Sequence, residues 1–159
     1  MGLVGTSGSG KTTLILKLVQ HFTAQGLRVA TIKHAHAGFD IDHPGKDSMR
    51  HRQAGAAQVV VSSPRRIAHI EERAPDTEAT LPQLLARLSP CDLVLVEGYK
   101  AHPHPKIQIY RPDNGKPPLD ALQNVIATLS PDGQPSLDDT QAVAHMIMTH
   151  AVPLQDLLA

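Results

Sequence analysis

An α/β fold, a mostly parallel sheet flanked by helices, is the architecture this sequence predicts, and three observations carry it. The segment Gly5-Thr6-Ser7-Gly8-Ser9-Gly10-Lys11-Thr12 fits the pattern G-x-x-x-x-G-K-[ST] in full and is followed by a second threonine, Thr13. Short apolar runs alternate along the chain with stretches of helical periodicity, as in a parallel sheet covered by helices. The most apolar run, Asp92 to Glu97 (DLVLVE), ends in a carboxylate and then a glycine, the ending expected of a strand that delivers an acid to a phosphate site. Together these predict a three-layer P-loop NTPase fold with a small β-hairpin extension.

Each element has its own reason. Leu3 and Val4 lead into the glycine loop as a first strand. With only four residues before Gly5, that strand is either very short or the chain begins downstream of the natural start. Leu14, Ile15, Leu18, Val19 and Phe22 recur at helical spacing, and Gly26 supplies the stop. Arg28 to Lys33 is rich in β-branched residues and reads as a buried strand. His34 to Gly45 is polar and holds Gly38 and Pro44, so it forms a loop of functional length. Asp47 or Ser48 is expected to cap a short helix to Ala54, closed by Gly55.

Gln58 to Ser62 and Arg66 to Glu71 read as two strands joined through Ser63-Pro64, a hairpin. Leu81, Leu84, Leu85 and Leu88 mark a helix capped by Thr80 and broken at Ser89-Pro90. The alternation of Lys106 to Tyr110 (KIQIY) predicts a half-exposed or edge strand. Residues 111–118 hold three prolines and a glycine and form a loop. Val125 to Leu129 is a last strand, and Asp138 and Asp139 open a final helix through Ala142, Val143, Met146 and Ile147. Without an internal repeat or linker, the 159 residues read as one domain, 1–159, with the β extension within 57–73 available for dimerisation.

Composition narrows the function classes. Fifteen basic and fifteen acidic residues cancel, which argues against nucleic acid or an anionic membrane as a partner held by bulk charge. No apolar run reaches bilayer length and no leader pattern opens the chain. The single cysteine, Cys91, cannot form an internal disulfide, so a reducing cytoplasm is the expected compartment.

The glycine loop carries the chemistry. Its glycines let consecutive N–H groups turn toward phosphate oxygens, and the following helix points its positive end at the same anion. Thr6, Ser7, Gly8, Ser9, Gly10, Lys11, Thr12 and Thr13 are therefore the candidate nucleotide-binding residues. Lys11 is expected to reach the β- and γ-phosphates, and the Thr12 hydroxyl to ligate Mg²⁺. Glu97 is the expected second acid, holding Mg²⁺ through a water or orienting the attacking water. Asp40, Asp42 and Asp47 lie in the long loop after the second strand, positioned to sense the γ-phosphate and the metal or to be a solvated acidic loop. Of these, Asp40 and Asp42 are candidate metal ligands, and Asp47 joins Glu97 as a catalytic candidate. The pairs His34/His36 and His102/His104 could each offer two ligands to Zn²⁺ or Ni²⁺, but no cysteine pair completes a four-ligand site.

Four stretches carry a resemblance. They are Gly5 to Thr13; Thr31-Ile32-Lys33-His34 with Phe39-Asp40-Ile41-Asp42; Pro44 to Ser48 through Arg52 and Ala54-Gly55-Ala56; and Asp92 to Lys100 with Pro105-Lys106-Ile107. The sequence resembles the MobB family, GTP-binding accessory proteins of molybdopterin-guanine dinucleotide synthesis. The match runs from residue 2 to about 110, with a vaguer likeness of Val125 to Ser130 to the family's last strand. The resemblance implies GTP and Mg²⁺ as ligands, weak intrinsic hydrolysis, and partnership with the guanylyltransferase that joins GMP to molybdopterin, itself a further ligand candidate. It also implies a homodimer built on a parallel sheet with an additional β element at the subunit contact. The chain departs from the family at Ala37, where a second histidine is frequent.

No Asn-Lys-x-Asp stretch occurs, so Asp132 after the last strand is the local candidate for the guanine edge, or simply a turn aspartate. Two other function classes stay open on the residues alone. One is a small-molecule kinase whose lid recruits Arg50, Arg52, Arg65 or Arg66; the other is a nickel-delivery GTPase using the histidines.

Overall fold

The computed structural model describes residues 1–35, 38–74 and 77–158, which fall into two compact units, Met1–Ala35 with Thr80–Ala159, and His36–Ala79. The larger unit holds a five-stranded sheet. Its strands are β1 (Gly2–Gly5), β2 (Val29–Lys33), β5 (Leu93–Glu97), β6 (Lys106–Ile109) and β7 (Val125–Leu129), in the order β2-β5-β1-β6-β7. Every pairing in it is parallel. β1 is short but central, with Leu3 opposite Glu97 on one side and Ile107 on the other.

Helices cover both faces, as the alternating pattern predicts. On one face α1 (Lys11–Ala24) and α4 (Thr140–His150) seal a core of Leu3, Leu95, Ile107, Ile109 and Leu129 with Leu14, Leu18, Phe22, Val143 and Ile147. The apolar spacing of α1 follows the period of the helix, so Leu14, Ile15, Leu18 and Phe22 all face inward. On the other face α3 (Leu81–Leu85) packs Leu81 and Leu85 against Ile32 and Val96. Thr80 and Gln83 form a reciprocal capping box at its start. Regular helix ends at Leu85, earlier than the leucine spacing predicts, and Arg87 and Leu88 close with single turns onto Leu84 and Leu85. Asp139 caps α4 by accepting from the Ala142 N–H at 3.0 Å.

The strand predicted as an edge is instead interior. Residues Lys106–Ile109 are buried throughout and paired on both sides, with β1 and with β7. The alternation that suggested exposure has another cause. The Lys106 ammonium is fully buried and donates to the carbonyls of His102 and Gln123, each at 2.7 Å, while the Gln108 carboxamide donates to Thr128 Oγ1 and accepts from the Leu119 N–H. Buried polar groups that are hydrogen-bonded fit an interior strand.

The smaller unit contains α2 (Asp47–Gln53) and an antiparallel hairpin, β3 (Gln58–Ser63) with β4 (Arg66–Glu71). Its turn is held by Ser63 Oγ, which accepts the Arg66 N–H at 3.0 Å. The hairpin is a two-stranded sheet of its own, and Val60, Val61 and Ile67 are exposed on it. Lys46, not Asp47 or Ser48, occupies the position before α2, and no side chain caps that end. Ser48 gives its hydroxyl to Asp42 instead. Gly55 ends the segment in the left-handed region, as its position after Ala54 predicts.

A phosphate-loop site at the carboxyl ends of β1 and β5

Gly5 closes β1 where no other residue fits, because an added Cβ would stand 2.4 Å from the Ile109 carbonyl oxygen and 2.8 Å from Ser9 Oγ. The loop then turns through Gly8 and Gly10, both at positive φ, and Gly10 sits at the N-cap of α1. Ser9 is fully buried beneath the turn. Lys11 opens the helix and folds back across the loop, its ammonium donating to the carbonyls of Gly5 at 3.1 Å and Thr6 at 2.7 Å. Burial depresses the pKa of Lys11; the Glu97 carboxylate opposes that shift, and Lys100, Lys33 and Lys116 add to it.

Glu97 ends β5 beside the loop, and its Oε1 accepts a hydrogen bond from Thr12 Oγ1 at 3.1 Å. Its other oxygen lies 3.8 Å from Lys33 Nζ at the end of β2. Parallel pairing explains the convergence: Lys33 is the register partner of Glu97, and Glu97 of Leu3, so three strand ends deliver their groups to one side of the sheet. Gly98 follows with φ 97°, and an added Cβ there would stand 2.8 Å from His34 Cβ. His34 donates its backbone N–H to the Glu97 carbonyl and stacks on Tyr99, with ring centroids 4.7 Å apart.

The candidate residues divide between the two units. Thr6 to Thr13 and Glu97 gather in the larger one. Asp40, Asp42 and Asp47 belong to the smaller one. There Arg52 collects the first two, its Nη1 standing 2.9 Å from Asp40 and 3.5 Å from Asp42, while its Nε bonds Glu72. The Asp42 N–H and then Arg52 hold the Asp40 carboxyl below the usual range, and Glu72 and then Asp40 raise the Arg52 guanidinium. Asp47 pairs with Arg50, 3.4 Å away on the exposed face of α2. Asp132 is exposed in the turn after β7.

Of the histidine pairs, His36 lies outside the described residues, as does Ala37. His102 and His104 bring their Nδ1 atoms to 3.2 Å, sharing one hydrogen bond. Among the described residues no group of three or more His, Cys, Asp or Glu side chains is gathered to hold a metal ion, and no helix is long and apolar enough to cross a membrane.

The structure adds residues to the site beyond those its local motifs mark. Asn114, in a 3-10 turn at Pro112–Asn114, donates to Thr6 Oγ1 at 3.2 Å. Arg111 lies against Gly10 and reaches Asp138, which also pairs with Lys17. Lys33, the last residue of β2, and Lys100, just beyond β5, were readable from their places after apolar runs. Nothing local signalled Asn114, because its partner is 108 positions away.

A phosphate loop closing the middle strand of a parallel sheet, with a carboxylate at the end of the neighbouring strand, defines the P-loop NTPase-like α/β class. The family model described as molybdopterin guanine dinucleotide synthesis protein B, MobB, matches residues 1–131. The chain belongs to that family. It is 43% identical over 128 residues to the molybdopterin-guanine dinucleotide biosynthesis adapter protein of Escherichia coli (strain K12), covering 78% of this chain and 73% of that protein. It is 41% identical over 128 residues to the adapter protein of Haemophilus influenzae, covering 80% and 71%. Among solved structures, Bacillus subtilis MobB superposes with a TM-score of 0.73 at 26% identity, covering 95% of this chain and 96% of that one. A MobB homologue from Bacillus stearothermophilus gives 0.65 at 29% identity, covering 93% and 94%.

Proposed function

We propose that the chain binds GTP with Mg²⁺, hydrolyses it slowly, and serves as an adapter for the guanylyltransferase that joins GMP to molybdopterin. The observation that carries this reading is the meeting of Lys11, Thr12 and Glu97 at the carboxyl ends of adjacent parallel strands. A hydroxyl and a carboxylate within hydrogen-bond reach form a hard oxygen pair of the kind Mg²⁺ prefers. Thr12 would ligate the ion and Glu97 would hold it through water; the ion's contribution is to offset charge on the phosphate oxygens. The loop N–H groups and Lys11 bind and orient the phosphates, and Glu97 is the residue able to orient a water or receive its proton.

The names of the relatives support the adapter role and its pathway, and family membership supports GTP as the nucleotide. Asp40, Asp42 and Asp47 are the proposed γ-phosphate and metal sensors, and in that role the first two would exchange Arg52 for the metal. The hairpin, with its exposed Val60, Val61 and Ile67, is the proposed homodimer contact. Two experiments test the whole. Incubation with γ-labelled GTP should release free phosphate slowly; transfer to a small molecule would make the protein a kinase. Pull-down from cell extract with and without GTP should recover the guanylyltransferase, and Lys46→Glu in the exposed loop should weaken that recovery. Failure to recover it in either state would remove the adapter reading.

A further inference from the structure

Beyond β6 the chain turns back over the phosphate loop and touches it twice. Arg111 lays its guanidinium against Gly10, where an added Cβ would stand 3.3 Å from Nε. The Asn114 carboxamide then bridges two backbone segments. Its Nδ2 donates to Thr6 Oγ1 at 3.2 Å, and its Oδ1 accepts the backbone N–H of Lys116 at 2.9 Å. Gly115 between them is left-handed, with φ 67°, which permits so tight a reversal. One carboxamide thus fastens the Lys116 backbone to the first variable residue of the loop.

The Lys116 side chain is exposed, and its ammonium has no carboxylate or carbonyl partner among the described residues. It is close enough to Lys11 for the two charges to oppose each other. Its cationic neighbours are engaged differently: Lys33 faces Glu97, and Lys17 and Arg111 share Asp138. Lys100 also acts on Lys11, but it follows β5, across β1 from β6, and among the described residues no hydrogen bond ties it to the loop. Holding an unpaired ammonium beside the phosphate-binding lysine is unfavourable unless an anion sits between them.

We propose that Lys116 is a further phosphate-binding residue of this site, directed at the terminal phosphate, and that Asn114 is its positioning residue. The proposal rests on the triphosphate reading above. Lys11 lies over the Gly5 and Thr6 carbonyls, and Asn114 anchors the Lys116 backbone at Thr6, so both lysines are held at the same end of the loop. A triphosphate shared by both carries most charge at its γ-phosphoryl group, which a diphosphate lacks.

Isothermal titration in Mg²⁺ with a non-hydrolysable GTP analogue and with GDP tests this. Lys116→Ala should lose about five- to tenfold in affinity for the analogue, the scale of one exposed charge-assisted contact, with GDP affinity unchanged. Lys116→Arg should retain the triphosphate preference. Asn114→Ala should show the same selective loss, and Asn114→Asp, which keeps an acceptor for the Lys116 N–H, should lose less. Thermal melting identifies any variant that fails to fold, and Lys116→Ala, a change at an exposed side chain, decides the matter if Asn114→Ala does not fold. Equal losses for both nucleotides, or no loss in Lys116→Ala, overturn the proposal. A wild-type chain that binds neither nucleotide overturns the triphosphate reading itself, a separate failure visible before any variant is made.

Discussion

Thr12 Oγ1 donates to Glu97 Oε1 across 3.1 Å, joining the first turn of α1 to the last residue of β5 over 85 positions of sequence. The bond unites the two groups on which the proposed metal chemistry depends.

Lys11→Ala should weaken triphosphate binding without unfolding the chain. Charge-assisted hydrogen bonds of this kind are worth ~1.5–3 kcal/mol, or about ten- to a hundred-and-fifty-fold in affinity. In the wild type the ammonium spends its donors on the Gly5 and Thr6 carbonyls, which solvent can satisfy after the substitution. Titration calorimetry with a non-hydrolysable analogue measures the change, and an unaltered Kd would end the phosphate-loop assignment.

Glu97→Gln should leave nucleotide affinity largely intact while lowering hydrolysis and the Mg²⁺ dependence of binding. The amide keeps an acceptor for Thr12 but removes the charge facing Lys33. Single-turnover phosphate release across a Mg²⁺ titration is the readout. Turnover and metal dependence that both match the wild type would reduce Glu97 to a strand end.

Two glycines at nearly the same φ separate backbone strain from steric contact. Gly55 (φ 99°) has open space around an added Cβ, whereas at Gly98 (φ 97°) that atom would stand 2.8 Å from His34 Cβ. Gly55→Ala should cost about 1 kcal/mol and Gly98→Ala about 2–3 kcal/mol by chemical denaturation. Equal costs would mean that His34 moves aside freely.

His104 gives a pH dependence with a definite sign. Burial, then Lys106 and His102, press its imidazole down to about 3, against an ordinary value of about 6.5. Between those values the unfolded chain binds a proton that the folded chain refuses. Stability is therefore complete above about pH 6.5 and declines as the pH falls toward 3. His104→Leu should flatten the acid limb of a plot of Tm against pH between 6 and 4. An identical slope would show that His104 is protonated in place.

The hairpin should join two copies of the chain. Sedimentation at micromolar concentration should give a species near twice the 17.1 kDa chain mass, and Ile67→Glu should return it to the monomer. A monomeric wild type would remove the contact proposed for β3 and β4.

Legibility in the sequence followed distance along the chain. The phosphate loop was readable because its pattern occupies consecutive residues, and Glu97 because a strand-end acid announces itself locally. The hairpin and the Thr80 cap were readable for the same reason. The placement of Lys106–Ile109 was not, since β1 and β7 become its neighbours only through pairings with distant segments, and a buried lysine looks in sequence like an exposed one. Nor does the order of residues reveal that Asp40 and Asp42 turn to Arg52 while Phe39 and Ile41 between and beside them turn out to solvent. Which partner a charged side chain takes is decided by tertiary packing, which local patterns do not encode.

The middle position of β1 governs the order in which this protein can become competent during synthesis. The strand is translated well before its two partners, β5 and β6, which follow the hairpin and α3. Until they arrive the nascent glycine loop has no sheet to hold it open and no Glu97 beside it. Nucleotide capture by a stalled, growing chain should accordingly switch on abruptly once Ile109 has cleared the exit tunnel, making a bound nucleotide a reporter of the assembled sheet, not an early folding guide.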